Sequence, residues 1–232
     1  WRGVCMREEV RKTAEFLLSS KRTVALTGAG ISVESGIPPF RGPGSLWEKF
    51  DPMEYAHISA FLKDPEKVWK EFISEIGAVL RTASPNPAHI GLARLERLDM
   101  LGTVITQNID GLHQRAGNTD VIEFHGNFAW LSCLECNSRK ETISIDPAQM
   151  PPRCECGGIY RPDCVFFGEL IPPEALQRSR QEASQCDVML VVGTSAVVQP
   201  AAYMPVIARQ SGATVIEVNP EPTPLTGSTS QL

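Results

Sequence analysis

The chain has 232 residues, with 22 Lys and Arg against 27 Asp and Glu, a formal charge of −5, and 42% hydrophobic and 21% charged residues. That is an ordinary globular composition, which excludes disorder and collagen-like repeats, and the length suits one large domain carrying a small insert better than two equal domains. No apolar run reaches the ~20 residues that span a bilayer, and Trp1 to Met6 lack the charged-then-apolar layout of a secretory signal. A cytoplasmic protein without a membrane partner is therefore expected, and the acidic excess argues against direct nucleic-acid binding.

In chain order, Glu8 to Ser20 carries Val10, Ala14, Phe16, Leu17 and Leu18 at near-helical spacing, and Thr23 to Thr27 is a short buried-strand run. The strand leads into Gly28-Ala29-Gly30-Ile31-Ser32 and then Ser35 to Gly42, a loop too rich in Gly and Pro for regular structure throughout. A glycine turn at a strand end lets backbone N–H groups approach a diphosphate, yet Gly28-x-Gly30 fits a purely structural turn as well. The dehydrogenase fingerprint G-x-G-x-x-G fails at Val33, and no Walker Gly-Lys-Ser/Thr follows.

Pro65 to Leu80 and Pro87 to Leu98 read as amphipathic helices, and Thr103 to Thr106, Val121 to Phe124, Val188 to Val192 and Thr214 to Val218 as strands. The alternation predicts an α/β fold, a Rossmann-like parallel sheet with helices on both faces. Cys133-x-x-Cys136 and Cys154-x-Cys156 interrupt it, with 17 residues between the two knuckles. Four thiolates at this spacing match a zinc ribbon, whose closed tetrahedral shell holds structure and leaves no position for chemistry. Expected boundaries are 1–45, 80–130 and 162–232 for the sheet domain, 46–79 for a helical insert and 131–161 for the ribbon. Cys5, Cys164 and Cys186 read as terminal, semi-buried and buried thiols. The tail from Gly227 to Leu232 reads as a frayed end.

Three further strand ends carry polar groups: Thr106-Gln107-Asn108-Ile109-Asp110-Gly111-Leu112-His113, Phe124-His125-Gly126 and Gly193-Thr194-Ser195. In an open α/β sheet these converge beyond the strand carboxyl ends. With them in view the sequence resembles the sirtuin family of NAD-dependent protein deacylases, through GAGISVESGIPPFRG, TQNIDGLHQRAG, the FHG at 124–126, the four-Cys ribbon, RPDCVFFGE, GTSAVVQPAA and VIEVNPEPTPL.

The resemblance implies that NAD is consumed as a co-substrate, the acyl-lysine oxygen attacking its nicotinamide-bearing ribose carbon to release nicotinamide and leave an O-alkylimidate. His125 would be the general base, since imidazole accepts a proton near neutral pH. Asn108, Asp110 and Gln107 match positions that hold the nicotinamide amide and ribose, with Ile109 beside them. Gly28, Ala29, Gly30 and Ser32 match the phosphate turn, Phe40 and Arg41 the flexible cofactor loop, and Gly193, Thr194, Ser195 and Asn219 further cofactor contacts. The acylated peptide is expected as an added strand between Val165 to Glu169 and Ala196 to Gln199, with Val165, Phe166, Phe167, Gly168 and Val198 as substrate contacts. His113 reads as helical and packed, and His57 and His89 as surface or N-cap residues.

Members of the family that prefer succinyl or malonyl groups carry a Tyr and an Arg where counting back from Asn86 gives Ile73 and Ile76. An apolar pair cannot neutralise a buried carboxylate, which implies neutral acyl groups, acetyl first. The sequence departs from the family at Pro39, where Asp or Thr is usual, and in the short C-x-C knuckle. The family also continues past the NPE segment with a short strand and a closing helix, which leaves the adenine side expected to be incomplete in these 232 residues. Two alternatives stand beside the deacylase: an NAD-dependent protein mono-ADP-ribosyltransferase using the same pocket, and a catalytically weak acyl-lysine-binding module.

Overall fold

The computed structural model describes residues 2–144 and 149–227; residues 228–232 of the tail and the side chain of Cys5 lie outside the described part. Five parallel strands form the main sheet in the order β3-β2-β1-β7-β8, from Thr23–Thr27 (β1), Thr103–Thr106 (β2), Val121–Glu123 (β3), Val188–Val192 (β7) and Thr214–Val218 (β8). The central β1 is buried at all five residues, as its continuous apolar run requires of a strand covered on both faces. Val24, Leu26, Ile105 and Met189 point to one side, against the side of helices Pro173–Gln185 (α9) and Met204–Gln210 (α10). Ala25, Val104, Leu190 and Ile216 point to the other, where they meet Leu17 of Arg2–Ser19 (α1) and Leu92 of Pro87–Arg97 (α7).

Helix α1 begins at Arg2, ahead of the expected Glu8. The apolar stripe marks only the part that packs, and nothing between Arg2 and Arg7 stops a helix except the weak breaker Gly3. Helix α7 opens on a capping box: the Asn86 side chain accepts from Ala88 N–H and His89 N–H, and Asn86 N–H donates to His89 Nδ1.

The remaining strands form a second, antiparallel sheet ordered β5-β4-β6, made of Gly126–Cys133 (β4), Arg139–Glu141 (β5) and Tyr160–Cys164 (β6). Its strands reach beyond 131–161 on both sides, because Gly126 already pairs with Cys164. Leu46–Lys49 (α2), Pro52–Tyr55 (α3), Ile58–Lys63 (α4) and the run Pro65 to Thr82 pack beside it. That run is a short helix (α5, Pro65–Lys67), a π-helical stretch Val68–Ile73 and a final α-helix (α6, Ser74–Thr82). At the π stretch Ser74 Oγ donates to Trp69 O at 2.7 Å. One core joins these pieces: Phe61, Trp69, Phe72 and Ile73 pack with Phe128, Leu131, Tyr160 and Phe166. Trp69 Nε1 donates to Tyr160 O at 2.8 Å, tying helix to ribbon.

Candidate active site

The glycines after β1 serve close backbone packing. Gly28 N–H donates to Val192 O at 3.1 Å and Gly30 N–H to Gly193 O at 2.7 Å, so neither is directed at a ligand. A Cβ on Gly28 would stand 2.7 Å from Thr194 Cβ. Of the two sequence readings, the structural turn accounts for both glycines, and they seat the loop after β1 against the loop after β7. A 3-10 helix, Ala29–Ser35, fills the first half of the segment expected to be irregular and presents Ser32.

Ser32 Oγ donates to Asp110 Oδ2 at 2.7 Å, and Asn108 Nδ2 donates to Ser32 Oγ at 3.2 Å and to Gly28 O at 3.0 Å. Asp110 Oδ1 accepts Leu112 N–H at 2.9 Å, at the start of helix Leu112–Ala116 (α8). His89 is fully buried rather than a surface residue; its Nε2 lies 3.4 Å from Ser32 Oγ while Nδ1 serves the helix cap. His57 caps α4, its Nδ1 accepting from Ser59 N–H. Gln107 Nε2 donates to Thr194 Oγ1 at 3.0 Å and Asn219 Nδ2 to Thr194 O at 2.7 Å, linking the ends of β2, β7 and β8.

His125 follows β3 and is half-buried. Its Nδ1 lies 2.9 Å from Gln107 O. A carbonyl only accepts, so Nδ1 carries the proton and neutral His125 keeps its lone pair on Nε2. Burial lowers the pKa of His125 below the ordinary imidazole value, against a smaller opposing effect of the Gln107 bond. Gly126 makes this placement possible: its φ is +77°, and a Cβ there would stand 2.2 Å from Asp163 O.

One cavity of about 710 Å³ collects these groups. Gly28, Ala29, Gly30, Ser32, Phe40, Arg41, Gln107, Asn108, Ile109, Asp110, His125, Gly193, Thr194, Ser195 and Asn219 all line it. So do Val165, Phe166, Phe167, Gly168 and Val198. Sequence reasoning did not assign a role to the wall formed by Pro220 to Pro224, or to Trp47, although both sit in segments it read. Trp47 lies 5.2 Å from Phe40, 6.0 Å from Phe72 and 6.1 Å from Phe167, centroid to centroid, at the meeting of loop, helices and substrate segment. The loop is further tied by Leu46 N–H to Pro39 O at 2.9 Å, a bond that Pro39 can accept like any residue. Ile73, Ile76 and Leu80 close the apolar end. Phe166 is buried in the smaller core and 5.3 Å from Phe61, whereas Phe167 is 37% exposed. One edge of the Phe167 segment is already occupied, since Phe167 N–H donates to Ala56 O and Ile58 N–H to Phe167 O.

The four ribbon sulfurs, those of Cys133, Cys136, Cys154 and Cys156, all lie within 4.8 Å of one another. Cys133 to Cys156 is 3.5 Å and Cys136 to Cys154 is 3.7 Å, close to the ~3.8 Å edge of a tetrahedron with zinc–sulfur bonds of ~2.3 Å. The donor set fits structural zinc, and no carboxylate or imidazole joins it among the described residues. Gly158 lets the knuckles close, because a Cβ there would stand 2.7 Å from Cys133 Sγ.

Residues 28–200 match the family model described as the Sir2 family. Archaeoglobus fulgidus NAD-dependent protein deacylase 1 is 49% identical over 222 residues, 95% of this chain and 89% of that protein. Caldivirga maquilingensis NAD-dependent protein deacetylase is 47% identical over 226 residues, 95% of this chain and 86% of that protein. A solved Sir2 homologue–NAD complex superposes with a TM-score of 0.89 at 47% identity, covering 95% of this chain and 86% of that one. A Sir2 complex with a deacetylated p53 peptide and 3′-O-acetyl ADP-ribose gives a TM-score of 0.91 at 38% identity, covering 95% and 91%. By matched span, identity and fold, this chain belongs to the Sir2 family.

Proposed function

We propose that the chain is an NAD-dependent protein-lysine deacylase that moves the acyl group from lysine to ADP-ribose and releases nicotinamide. The observation that carries this reading is His125, with Nδ1 tied to Gln107 O and Nε2 without a hydrogen-bond partner among the described residues, on the wall of a cavity that also holds Asn108 and Asp110. NAD, when bound, supplies an ADP-ribosyl electrophile with nicotinamide as its leaving group. The cavity fits it in size. Its polar end offers the Asn108 amide, the Asp110 carboxylate and Gln107, and its loops offer Ala29, Ser195, Arg41 and Asn219.

In this reading His125 Nε2 accepts a ribose hydroxyl proton, and Asn108 and Asp110 orient the reacting end through directional hydrogen bonds. Phe40 excludes water from the reacting sugar face, held there by Trp47. The peptide lies between residues 165–169 and 196–199, and its lysine stem passes between Val165, Phe167 and Val198. Ile73 and Ile76 support acetyl over succinyl, because neither can pair a buried carboxylate.

The chain divides functionally into the parallel-sheet domain, a helical insert at 46–79 and a ribbon, expected at 131–161 but with strands running from Gly126 to Cys164, in which zinc would be held by Cys133, Cys136, Cys154 and Cys156. Its partners are acyl-lysine proteins. Zinc-ligating Cys133, Cys136, Cys154 and Cys156, with Cys164 and Cys186 as free thiols, support a reducing, cytoplasmic setting. No helix among the described residues is long and apolar enough to cross a membrane.

Mass spectrometry of products from NAD and an acetyl-lysine peptide tests the reading. Equimolar nicotinamide, free peptide and acetyl-ADP-ribose, absent with His125→Ala, is the expected result. ADP-ribose attached to protein would replace the deacylase with a transferase, and faster turnover of a succinyl peptide would overturn the acyl preference.

A further inference from the structure

Helix α8 carries His113, a fully enclosed imidazole that the chemistry above does not use. Its Nε2 lies 2.9 Å from Thr27 Oγ1, and Thr27 Oγ1 lies 3.0 Å from Thr106 Oγ1. Thr27 and Thr106 are register partners at the ends of β1 and β2. Thr106 Oγ1 in turn accepts Asn108 N–H at 3.1 Å. That N–H and the Gln107 carbonyl that receives His125 Nδ1–H belong to one peptide unit. Because the unit is planar and trans, anchoring its N–H aims its C=O.

Hydroxyl protons can point either way, and the rest of the network selects the direction. His113 Nδ1 and Asn118 Oδ1 are among the buried side-chain atoms without a hydrogen-bond partner among the described residues. Thr27 Oγ1 donates to Thr106 Oγ1, so toward His113 it can only accept; His113 Nε2 therefore carries the proton, and Thr106 Oγ1 accepts from both Thr27 and Asn108 N–H. Beside the ring, Asn118 Nδ2 donates to Glu96 Oε2 at 2.5 Å. Burial disfavours the Glu96 charge, but hydrogen bonds from Thr119 and Asn118 outweigh it and keep its pKa below the usual carboxylate value. The donors on His113 and Thr27 therefore point toward Thr106, whose oxygen receives Thr27 and holds the Asn108 N–H.

We propose that His113 is a positioning residue for His125, acting through Thr27, Thr106 and the 107–108 peptide to hold the Gln107 carbonyl where it selects the Nδ1–H tautomer. The two tautomers of a neutral imidazole lie close in free energy, and the hydrogen bond at one nitrogen decides which is present. Losing the aim of that carbonyl mixes them, and a protonated Nε2 cannot accept. The inference rests on His125 being the base, but its structural half does not.

The test uses the zinc-loaded full chain with Thr27→Val, His113→Phe and His113→Gln, the last keeping a donor toward Thr27. Nitrogen-15 spectra of the His125 imidazole at pH 8, assigned by loss of signal in His125→Ala, report the tautomer. We expect wild type and His113→Gln to hold Nδ1–H. Thr27→Val and His113→Phe should show a mixture and lose kcat by about 5- to 10-fold, with KM for NAD and peptide unchanged. The double variant should lose no more than the worse single one, because both cut one chain. An unchanged tautomer and kcat in both single variants, whatever their melting temperatures, overturns the proposal. A mixed tautomer without loss of kcat instead upholds the relay and removes His125 as the base.

Discussion

Gly30 and Gly193 meet backbone against backbone: a Cβ on Gly30 would stand 2.7 Å from Gly193 O, and one on Gly193, whose φ is +60°, only 2.3 Å from Ile31 N. The contact sets the spacing of the two loops that line the cavity, so its loss is expected to reach both fold and ligand binding. Gly193→Ala should cost about 3 kcal/mol or more, combining backbone strain with a clash that no rotamer relieves. Gly36→Ala is the control. It shares a positive φ, +84°, but faces open space, and should cost about 1 kcal/mol. Urea unfolding of the two variants separates the terms; equal losses would mean that the close contact relaxes freely.

The histidines predict how stability falls in acid. His113 is pushed down to about 3, by burial first and the neighbouring His89 second, and burial lowers His89 and His125 as well. An unfolded histidine binds its proton near pH 6.5, so these groups contribute fully above that pH and the contribution is lost as pH falls below it. Each contributes a slope of at most ~1.4 kcal/mol per pH unit. The lowered carboxylates Asp120, Glu169 and Asp187 add their own loss below the usual carboxylate range. Between pH 6.5 and 5, with zinc in excess, the urea midpoint should drop, and His113→Gln should flatten the decline. A variant as steep as wild type would remove His113 from this account.

Removing zinc should loosen the smaller sheet and the helices packed on it before the parallel sheet. Structural zinc contributes on the order of 10 kcal/mol in small zinc domains. Trp69 reports on the event, because its ring is buried and its Nε1 is held by Tyr160 O. A strong chelator, or Cys133→Ser, should red-shift and quench tryptophan fluorescence while helix content falls only partly. An unshifted spectrum would mean that the shared core holds the ribbon without metal.

Glu217, at the edge strand β8, is 9% exposed. Its carboxylate accepts from Thr223 Oγ1 and, at 2.6 Å, from Thr226 Oγ1. It thereby pins the turn whose residues 220–224 wall the cavity beside Asn219. Glu217→Ala should raise KM for NAD about 10-fold, the equivalent of ~1.4 kcal/mol, with kcat for the acetyl peptide nearly unchanged. A fall in kcat alone would place the effect elsewhere.

What could be read from residue order follows what is local. Thr23 to Thr27 and Val188 to Val192 are continuous apolar runs, the mark of strands buried on both faces, and the structure uses both. The cysteine knuckles also stand out, because thiolate spacing is short-range information. The π-helical stretch at Val68–Ile73 was not legible, since its apolar pattern fits an ordinary helix equally well. Nor was the destination of the Gly28 and Gly30 N–H groups, which depends on Val192 and Gly193, far along the chain. His113 was legible as a packed helical residue, but the burial of His89 was not: its place beside the helix cap suggested the surface, and only the crossing of α7 and α8 over the sheet encloses it against His113, with ring centroids 4.9 Å apart.

The core that joins Phe61, Trp69 and Phe72 to Phe128, Leu131 and Tyr160 is woven from two stretches that lie on opposite sides of β2 in the chain. The smaller unit is therefore not a cassette. Excising the ribbon would strip the apolar faces of the helices, and excising the helices would bare the inner side of β4. A transplant between relatives must carry both stretches together. Changes in one are expected to be matched by changes in the other, so that a graft of 131–161 alone yields an aggregating chain even when all four cysteines are kept.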